Sequence, residues 1–455
     1  MPVFLPEQSA SSSGYKMIIL LILILLIMLF LSMLLFKGDI FHPACMSILE
    51  FLVVSIVCMF ALDGWGVSID GSVVIVVVLL LFSFVGGSLL ANQSRLLIRE
   101  GDRPKSQDAK LSLRTRHIIL MIFICGVALA VTFQQSLALA LSAGYMDDMY
   151  MGSFVSTALE ESGLPLYVVL LQSISQGIAY VSFYLFAKNF TLKKRINFLY
   201  LIPSILYFIT ASFNTSRSTL FACVVYALYC IVISYYFATG KDGMDIKKGM
   251  KVLCIGLLAL VIFVMAFVAL GNYTGKTQAY GFMNTIMIYF GSSIANLSEY
   301  LQSLSLSDFI LPSDTPGKET LFGLTYTLSR LGFPTETGVH FLDFIQYANG
   351  DSSNVYTSFR RYIEDYGFLF AVLIQFWIGY IYTYFYQRAK HSGSDALVIS
   401  YAFLSFYLLY QCFEEQILYS FLSVSQLLSV ASIGIVYFIV KKIATSHGVE
   451  KAHES

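Results

Sequence analysis

Charge is what this chain has least of. Asp, Glu, Lys and Arg make up 12% of its 455 residues, against about 25% in soluble domains. With 57% hydrophobic residues and a mean hydropathy of +0.74, the composition excludes an ordinary soluble fold and describes a polytopic membrane protein. Lys plus Arg and Asp plus Glu balance at 28 each, so no polyanion is called for and nucleic acid is not expected. The seven cysteines, at 45, 58, 125, 223, 230, 254 and 412, form no Cys-x-x-Cys pair and fall mostly in apolar runs. There they behave as small hydrophobes, which argues against a disulfide frame or a thiolate metal site. The six histidines show no metal spacing, and there is no Walker lysine motif. No metal and no cofactor is expected. Internal repeats and low-complexity linkers are also missing.

Long apolar runs are abundant. A helix needs about 20 apolar residues to cross the hydrocarbon core, and residues 17–36 form such a run without a charge. The first 15 residues lack the cationic lead of a secretory signal, so this run reads as a retained span. Further candidates are 45–62, 73–90, 118–138, 166–187, 197–212, 219–238, 252–271, 367–387, 396–412 and 417–440. Backbone groups in lipid must be satisfied internally, so these eleven runs are expected to be helices. The fold class is an all-α membrane bundle of about 11–12 transmembrane helices, forming a single integral membrane domain over 1–455. Nothing alternates in the manner of an outer-membrane barrel strand.

Lys and Arg set the orientation. Twenty-one of the 28 cluster in the connections 93–117, 188–196 and 239–251 and around Lys37, Arg388, Lys390, Lys441, Lys442 and Lys451. That side is expected to be cytoplasmic. Lys16, Arg217, Lys276, Lys318, Arg330, Arg360 and Arg361 lie on the other. An odd number of spans then puts the N-terminus outside and the C-terminus inside. Two outer segments stand out: 134–165, with Asp147, Asp148, Glu160 and Glu161, and the long outer loop 272–366. Loops of that length are usually functional or disordered. This one is rich in Tyr, Phe and Leu, which argues against disorder. Its first part, 278–304, suits an interfacial helix, a re-entrant segment or an extra span.

Two short outer stretches carry arginine. Arg217 lies in Asn214-Thr215-Ser216-Arg217-Ser218-Thr219, a polar gap between spans. Its guanidinium either snorkels to water at a helix end or binds an anion, with Ser216 and Ser218 as further donors. Asp351-Ser352-Ser353-Asn354 are good helix N-caps, and a helix starting there would aim free N–H groups at an anion. It would carry Tyr356, Arg360 and Arg361 toward the span at 367. Arg360 and Glu364, and Arg361 and Asp365, are four apart, so two plain ion pairs of about 0.2–0.5 kcal/mol fit equally. Acids within reach are Glu299, Glu336, Asp343, Glu364 and Asp365, with His340 the one histidine of this loop. Any of them could serve as a general base. Glu414 and Glu415, at a span boundary, read as capping or solvated groups. The loop tyrosines, Tyr300 and Tyr356 among them, suit either a sugar path or packing.

Asn354-Val355-Tyr356-Thr357 followed by Arg360, Tyr362, Asp365 and Gly367 resembles the oligosaccharide repeat-unit (O-antigen, Wzy-type) polymerases of bacteria. Ser216-Arg217-Ser218 resembles their other arginine motif, and Tyr289-Phe290-Gly291-Ser292-Ser293 a further element, with serines where the family pattern has more glycine. The order of spans and the long outer loop agree. The resemblance implies a GT-C-like glycosyltransferase of the bacterial inner membrane, acting at its outer face. Its substrates would be undecaprenyl-pyrophosphate-linked oligosaccharides, polymerised into O-antigen or capsule, with a chain-length regulator protein as a further partner. It implies pyrophosphate binding by Arg217 and Arg360, with Arg361 in reserve, and a base at Asp365 or His340. The alternatives are a ligase with a different acceptor and a transporter or flippase of an anionic or lipid-linked solute, for which Glu50 inside the second span is the best feature. A non-catalytic scaffold would leave the outer arginines unexplained.

Overall fold

The computed structural model describes residues 12–94, 113–142, 164–192, 197–213, 217–239, seven positions between 247 and 256, 282–339, 341–420 and 422–453. Among these, eight helices are long and apolar enough to cross a membrane: Gly14–Leu35, Pro43–Trp65, Gly71–Gln93, Thr115–Ala138, Leu166–Thr191, Ser218–Tyr236, Ser358–His391 and Val424–Ala444. Two shorter apolar helices cover Phe198–Phe213 and Asp395–Leu408. The chain is therefore an all-α, multi-pass membrane bundle. Ten of the eleven expected spans have a helical counterpart. The run at 252–271 lies almost wholly outside the described residues, as do Asp147, Asp148, Glu160 and Glu161.

In chain order the helices are α1 (Ser12–Leu35), α2 (Pro43–Trp65), α3 (Gly71–Ser94), α4 (Thr115–Ser142), α5 (Leu166–Thr191), α6 (Leu201–Phe213) and α7 (Arg217–Thr239). Then come α8 (Phe282–Ile286), a π-helical turn (Met287–Gly291), α9 (Ser292–Ser303), α10 (Leu306–Ile310) and α11 (Phe322–Arg330). A two-stranded hairpin, β1 (Ile345–Gln346) and β2 (Ser352–Ser353), precedes α12 (Ser358–His391), α13 (Asp395–Leu408) and α14 (Val424–His453).

Small residues bring the central helices together, because lipid offers no hydrophobic drive for helix association and close backbone packing must supply it. On α3, a Cβ at Gly87 would fall 1.9 Å from the Phe376 carbonyl oxygen; on α12, one at Gly379 would fall 2.2 Å from that of Phe84. Hydroxyls complete the seam, with Ser83 donating to the Val372 carbonyl at 2.7 Å and Thr383 lying 3.0 Å from Ser88. Gly177 of α5 meets the Ser432 carbonyl of α14 in the same way.

The two ends of α12 differ in chemistry. Arg360 and Arg361 lie at one end and Lys390 at the other. The Lys390 ammonium sits 2.7 Å from Asp39 in the turn between α1 and α2, and the hydroxyls of Tyr236 and Tyr386 donate to the same carboxylate at 2.5 and 2.8 Å. Asp39 is 2% exposed, so every charge in this buried pair is met by a partner, the condition for tolerating it. Lys188 and Asp395 pair at 2.7 Å at this same end.

Two expectations change. The polar run 351–354 caps no helix: Asp351 to Ser353 turn and close the hairpin, Ile345 facing Ser353, and α12 begins at Ser358. The segment 278–304 is helical over most of its described part, and Ser292 to Ser298 are buried among helices. The run 396–412 stops being helical at Leu408, after a rise of about 21 Å, and α14 starts only at Val424. Residues 409–420 of the irregular stretch between them are buried or half-buried, as non-helical backbone at membrane depth must be.

Candidate functional site

The residues around Arg360 are placed by long-range hydrogen bonds. Asn296 of α9 donates to the carbonyls of Ser353 and Val355 at 3.1 and 2.9 Å and accepts from the Tyr347 hydroxyl at 2.5 Å. Ser292 meets the Ser353 hydroxyl at 2.8 Å. The stretch 289–293 therefore holds the hairpin and, through it, Asn354 and Tyr356. Gly291 allows this because a Cβ there would come within 3.1 Å of the Cys58 backbone. The first turn of α12 is pinned by the Ser358 amide, which donates to the Gln411 carbonyl at 2.8 Å.

Arg360 is 5% exposed, and its guanidinium stands between two rings, 4.1 Å from Tyr356 and 4.8 Å from Tyr300. Stacking of this kind suits a planar, weakly hydrated cation. Its Nη2 reaches Asp343 at 3.3 Å, a carboxylate 90% exposed. Its Nε lies 3.6 Å from Glu364, beyond hydrogen-bond length, and has no hydrogen-bond partner. The spacing-based pair with Glu364 thus forms only loosely. Arg360 is a buried cation whose Nη2 points toward the solvent-exposed Asp343, while its Nε is sealed from solvent beside Glu364. Asn354, half-buried, precedes it by six residues.

Arg361 is a different kind of residue despite its position. It is 1% exposed; its Nη1 bonds Glu319 at 2.9 Å and the Val339 carbonyl at 3.3 Å, its Nη2 lies 3.7 Å from Glu414, and its guanidinium covers the Tyr419 ring at 4.8 Å. The expected pair with Asp365 does not form. Asp365 instead accepts from the Glu319 and Thr320 amides at 3.1 and 2.6 Å and from the Thr320 hydroxyl at 2.7 Å. At 1% exposure with these three donors around it, Asp365 is built as an anchor for the chain before α11, and no free lone pair faces solvent as a general base requires. His340 and Ser216 lie outside the described residues.

The turn 409–423 carries two acids. Glu415 is 1% exposed and accepts from the Leu418 and Tyr419 amides at 2.8 and 2.6 Å and from the Tyr362 hydroxyl at 2.9 Å. Burial pushes its carboxyl up to about 7, although these donors and Arg361 pull the other way. Burial likewise raises Glu414, against the pull of Arg361. Of the two roles expected of this pair, capping or solvation, capping fits Glu415; the ion pair of Glu414 with Arg361 was not legible in spacing.

Arg217 is the first residue of α7; its side chain lies outside the described part, and Ser218 follows it, half-buried. One turn on, the Phe221 ring meets Tyr410 and Phe413 of the 409–423 turn at 6.3 Å each, and Phe413 meets Phe290 at 5.0 Å. The start of α7, the 289–293 stretch and the arginine-bearing end of α12 therefore converge on one turn. Sequence reasoning missed Asn296, Glu319 and Glu414 as parts of this assembly, and no local signal marks them. Among the described residues no three His, Cys, Asp or Glu side chains gather as a metal site. No family model, curated protein or solved structure matches the chain.

Proposed function

We propose that the protein is a glycosyltransferase that polymerises undecaprenyl-pyrophosphate-linked oligosaccharide repeat units into O-antigen or capsule at the outer face of the bacterial inner membrane. The observation that carries the reading is Arg360: a guanidinium 5% exposed, held between two tyrosine rings, with an Nε that no hydrogen bond satisfies. Its partners, Asp343 at 3.3 Å and Glu364 at 3.6 Å, are held at long range, and a diphosphate oxygen competing for the guanidinium would make a shorter charge-assisted bond. When the lipid diphosphate departs, negative charge builds at that point, and a fixed cation stabilises it where it develops. The leaving group is already activated, so neither nucleotide nor metal is needed. Arg217 begins α7, whose Phe221 packs on the same turn, and supplies a second cation in this scheme. The acceptor hydroxyl gives its proton to a nearby acid; Asp343, open to solvent and 3.3 Å from Arg360, is better placed for this than Asp365.

The test is glycan length. Arg360→Ala and Arg217→Ala, at normal protein level, should shorten the surface polysaccharide to single repeat units. Loss of one charge-assisted bond, about 1.5–3 kcal/mol, corresponds to a rate lower by roughly ten- to a hundredfold. Long chains made at the wild-type rate by Arg360→Ala defeat the reading. Movement of a lipid-linked unit across proteoliposomes without new glycosidic bonds would instead favour a flippase, and transfer of finished glycan to another acceptor a ligase.

A further inference from the structure

Glu50 plays no part in the site described above and lies about two turns into α2, counted from the Lys390 end of the bundle. Its stem is half-exposed, but its carboxyl reaches inward. Oε1 accepts from the Ser47 hydroxyl at 3.4 Å, while Oε2 is sealed from solvent with no hydrogen-bond partner. Tyr229 of α7, Tyr382 of α12 and Cys412 of the 409–423 turn lie within its electrostatic reach. Among the described residues no Lys or Arg pairs with it; the nearest such pair toward the Lys390 end, Lys390 with Asp39, is engaged with itself at 2.7 Å.

Other polar atoms in this region are equally unmet. Gln375 donates to Gln411 at 2.8 Å, which leaves Gln375 Oε1 and Gln411 Nε2 without partners, on side chains 0% and 1% exposed. Turning both amides over exchanges the two atoms and leaves the same deficit. The hydroxyl of Tyr401, 1% exposed and with its ring 5.5 Å from that of Tyr229, shares its hydrogen bonding with the Tyr229 hydroxyl. Buried polar groups are almost always satisfied, so three such atoms, on Glu50, Gln375 and Gln411, call for an occupant. Tyr382, which lies within reach of Glu50, also borders a cleft of about 180 Å³, ample for water, which needs roughly 10–15 Å³.

An ionised carboxylate with no cation is strongly disfavoured at this depth, and intramembrane acids of this kind mark proton or ion sites. A neutral acid, by contrast, donates its O–H and suits water held by amide groups. We propose that Glu50 is a proton-binding site within the membrane, its carboxylic acid sharing ordered water with Gln375 and Gln411. Binding takes one proton from solvent and breaks no other bond. The inference does not rest on glycosyl transfer.

Infrared spectroscopy of the purified protein in lipid nanodiscs tests it. The wild type should show a protonated-carboxyl carbonyl band at neutral pH that shifts in heavy water and is missing from Glu50→Gln. Identical acid bands in wild type and Glu50→Gln would overturn the proposal, as would a Glu50 band that does not respond to heavy water. Ser47→Ala keeps the test open should Glu50→Gln not fold. It removes the one donor to Oε1, so the band should move to higher frequency; an unmoved band also overturns the assignment.

Discussion

A Cβ on Gly367 would stand 2.3 Å from the carbonyl oxygen of Ile310, and Gly367 itself sits at φ 70°, ψ 167°. This contact divides α12 into a polar cap that carries both arginines and an apolar span that crosses the bundle. Phe309, next to Ile310, stacks on Phe368 at 4.9 Å, so the loop before the site is locked to the first residue of the span. Gly367→Ala should combine backbone strain of about 1–3 kcal/mol with overpacking of about 1–3 kcal/mol. The expected result is a clear drop in melting temperature in detergent and less folded protein by size exclusion. A wild-type melting profile would contradict the close approach.

Arg361 and Glu319 should behave as a structural pair. Removing one partner of a buried ion pair costs about 3–5 kcal/mol, so Arg361→Ala and Glu319→Gln should each lower thermal stability. Arg361→Lys should not restore it, because one ammonium cannot reach Glu319, the Val339 carbonyl and Glu414 together while covering Tyr419. Thermal shift measurements on the three variants decide this. If Arg361→Ala melts normally yet loses activity, the residue belongs with Arg360 at the ligand.

The spans were legible because lipid imposes one rule, a long apolar helix, and the runs that begin at 17, 45, 73, 118 and 166 each obey it. The site was legible only in part. Residues 289–293, the start of α7 and the Arg360 stretch were picked out one by one. That they meet at the 409–423 turn depends on ring contacts such as Phe221 with Phe413, which no spacing encodes. Polar runs misled at 351–354, where Asx and Ser residues serve a turn as readily as a helix cap. The i,i+4 rule failed at Arg361 because a partner forty residues away, Glu319, offers a shorter bond in a drier place than Asp365.

Asp365 offers a direct choice between anchor and base. As an anchor, its loss frees the Glu319 and Thr320 amides and the Thr320 hydroxyl, and buried donors left unmet cost about 1–3 kcal/mol. Asp365→Ala should therefore lower stability, whereas Asp365→Asn, which retains an acceptor oxygen, should recover part of it. Whatever turnover remains should keep the pH profile of the wild type. Disappearance of the acidic limb in Asp365→Asn, with stability intact, would make Asp365 the base after all.

Glu415 should make stability depend on pH near neutrality. Its carboxyl titrates at about 7 in the folded protein, against an ordinary value of 4.5, because burial disfavours the charged form. The folded state therefore holds the proton over a range in which the unfolded state has released it. By linkage, the stabilisation is complete below the unfolded value and is lost as pH rises through about 7. The shift sets an upper bound of about 3 kcal/mol. Melting temperature in detergent should thus fall from pH 5 to pH 8, and the fall should be smaller in Glu415→Gln, which carries no titrating proton at that position. Tyr362→Phe removes the hydroxyl that donates to Glu415 at 2.9 Å and so favours the protonated acid; its drop should start at the same pH as in the wild type and continue to higher pH. Parallel melting curves for wild type and Glu415→Gln across that window would show that Glu415 is ionised throughout, with its three donors outweighing burial.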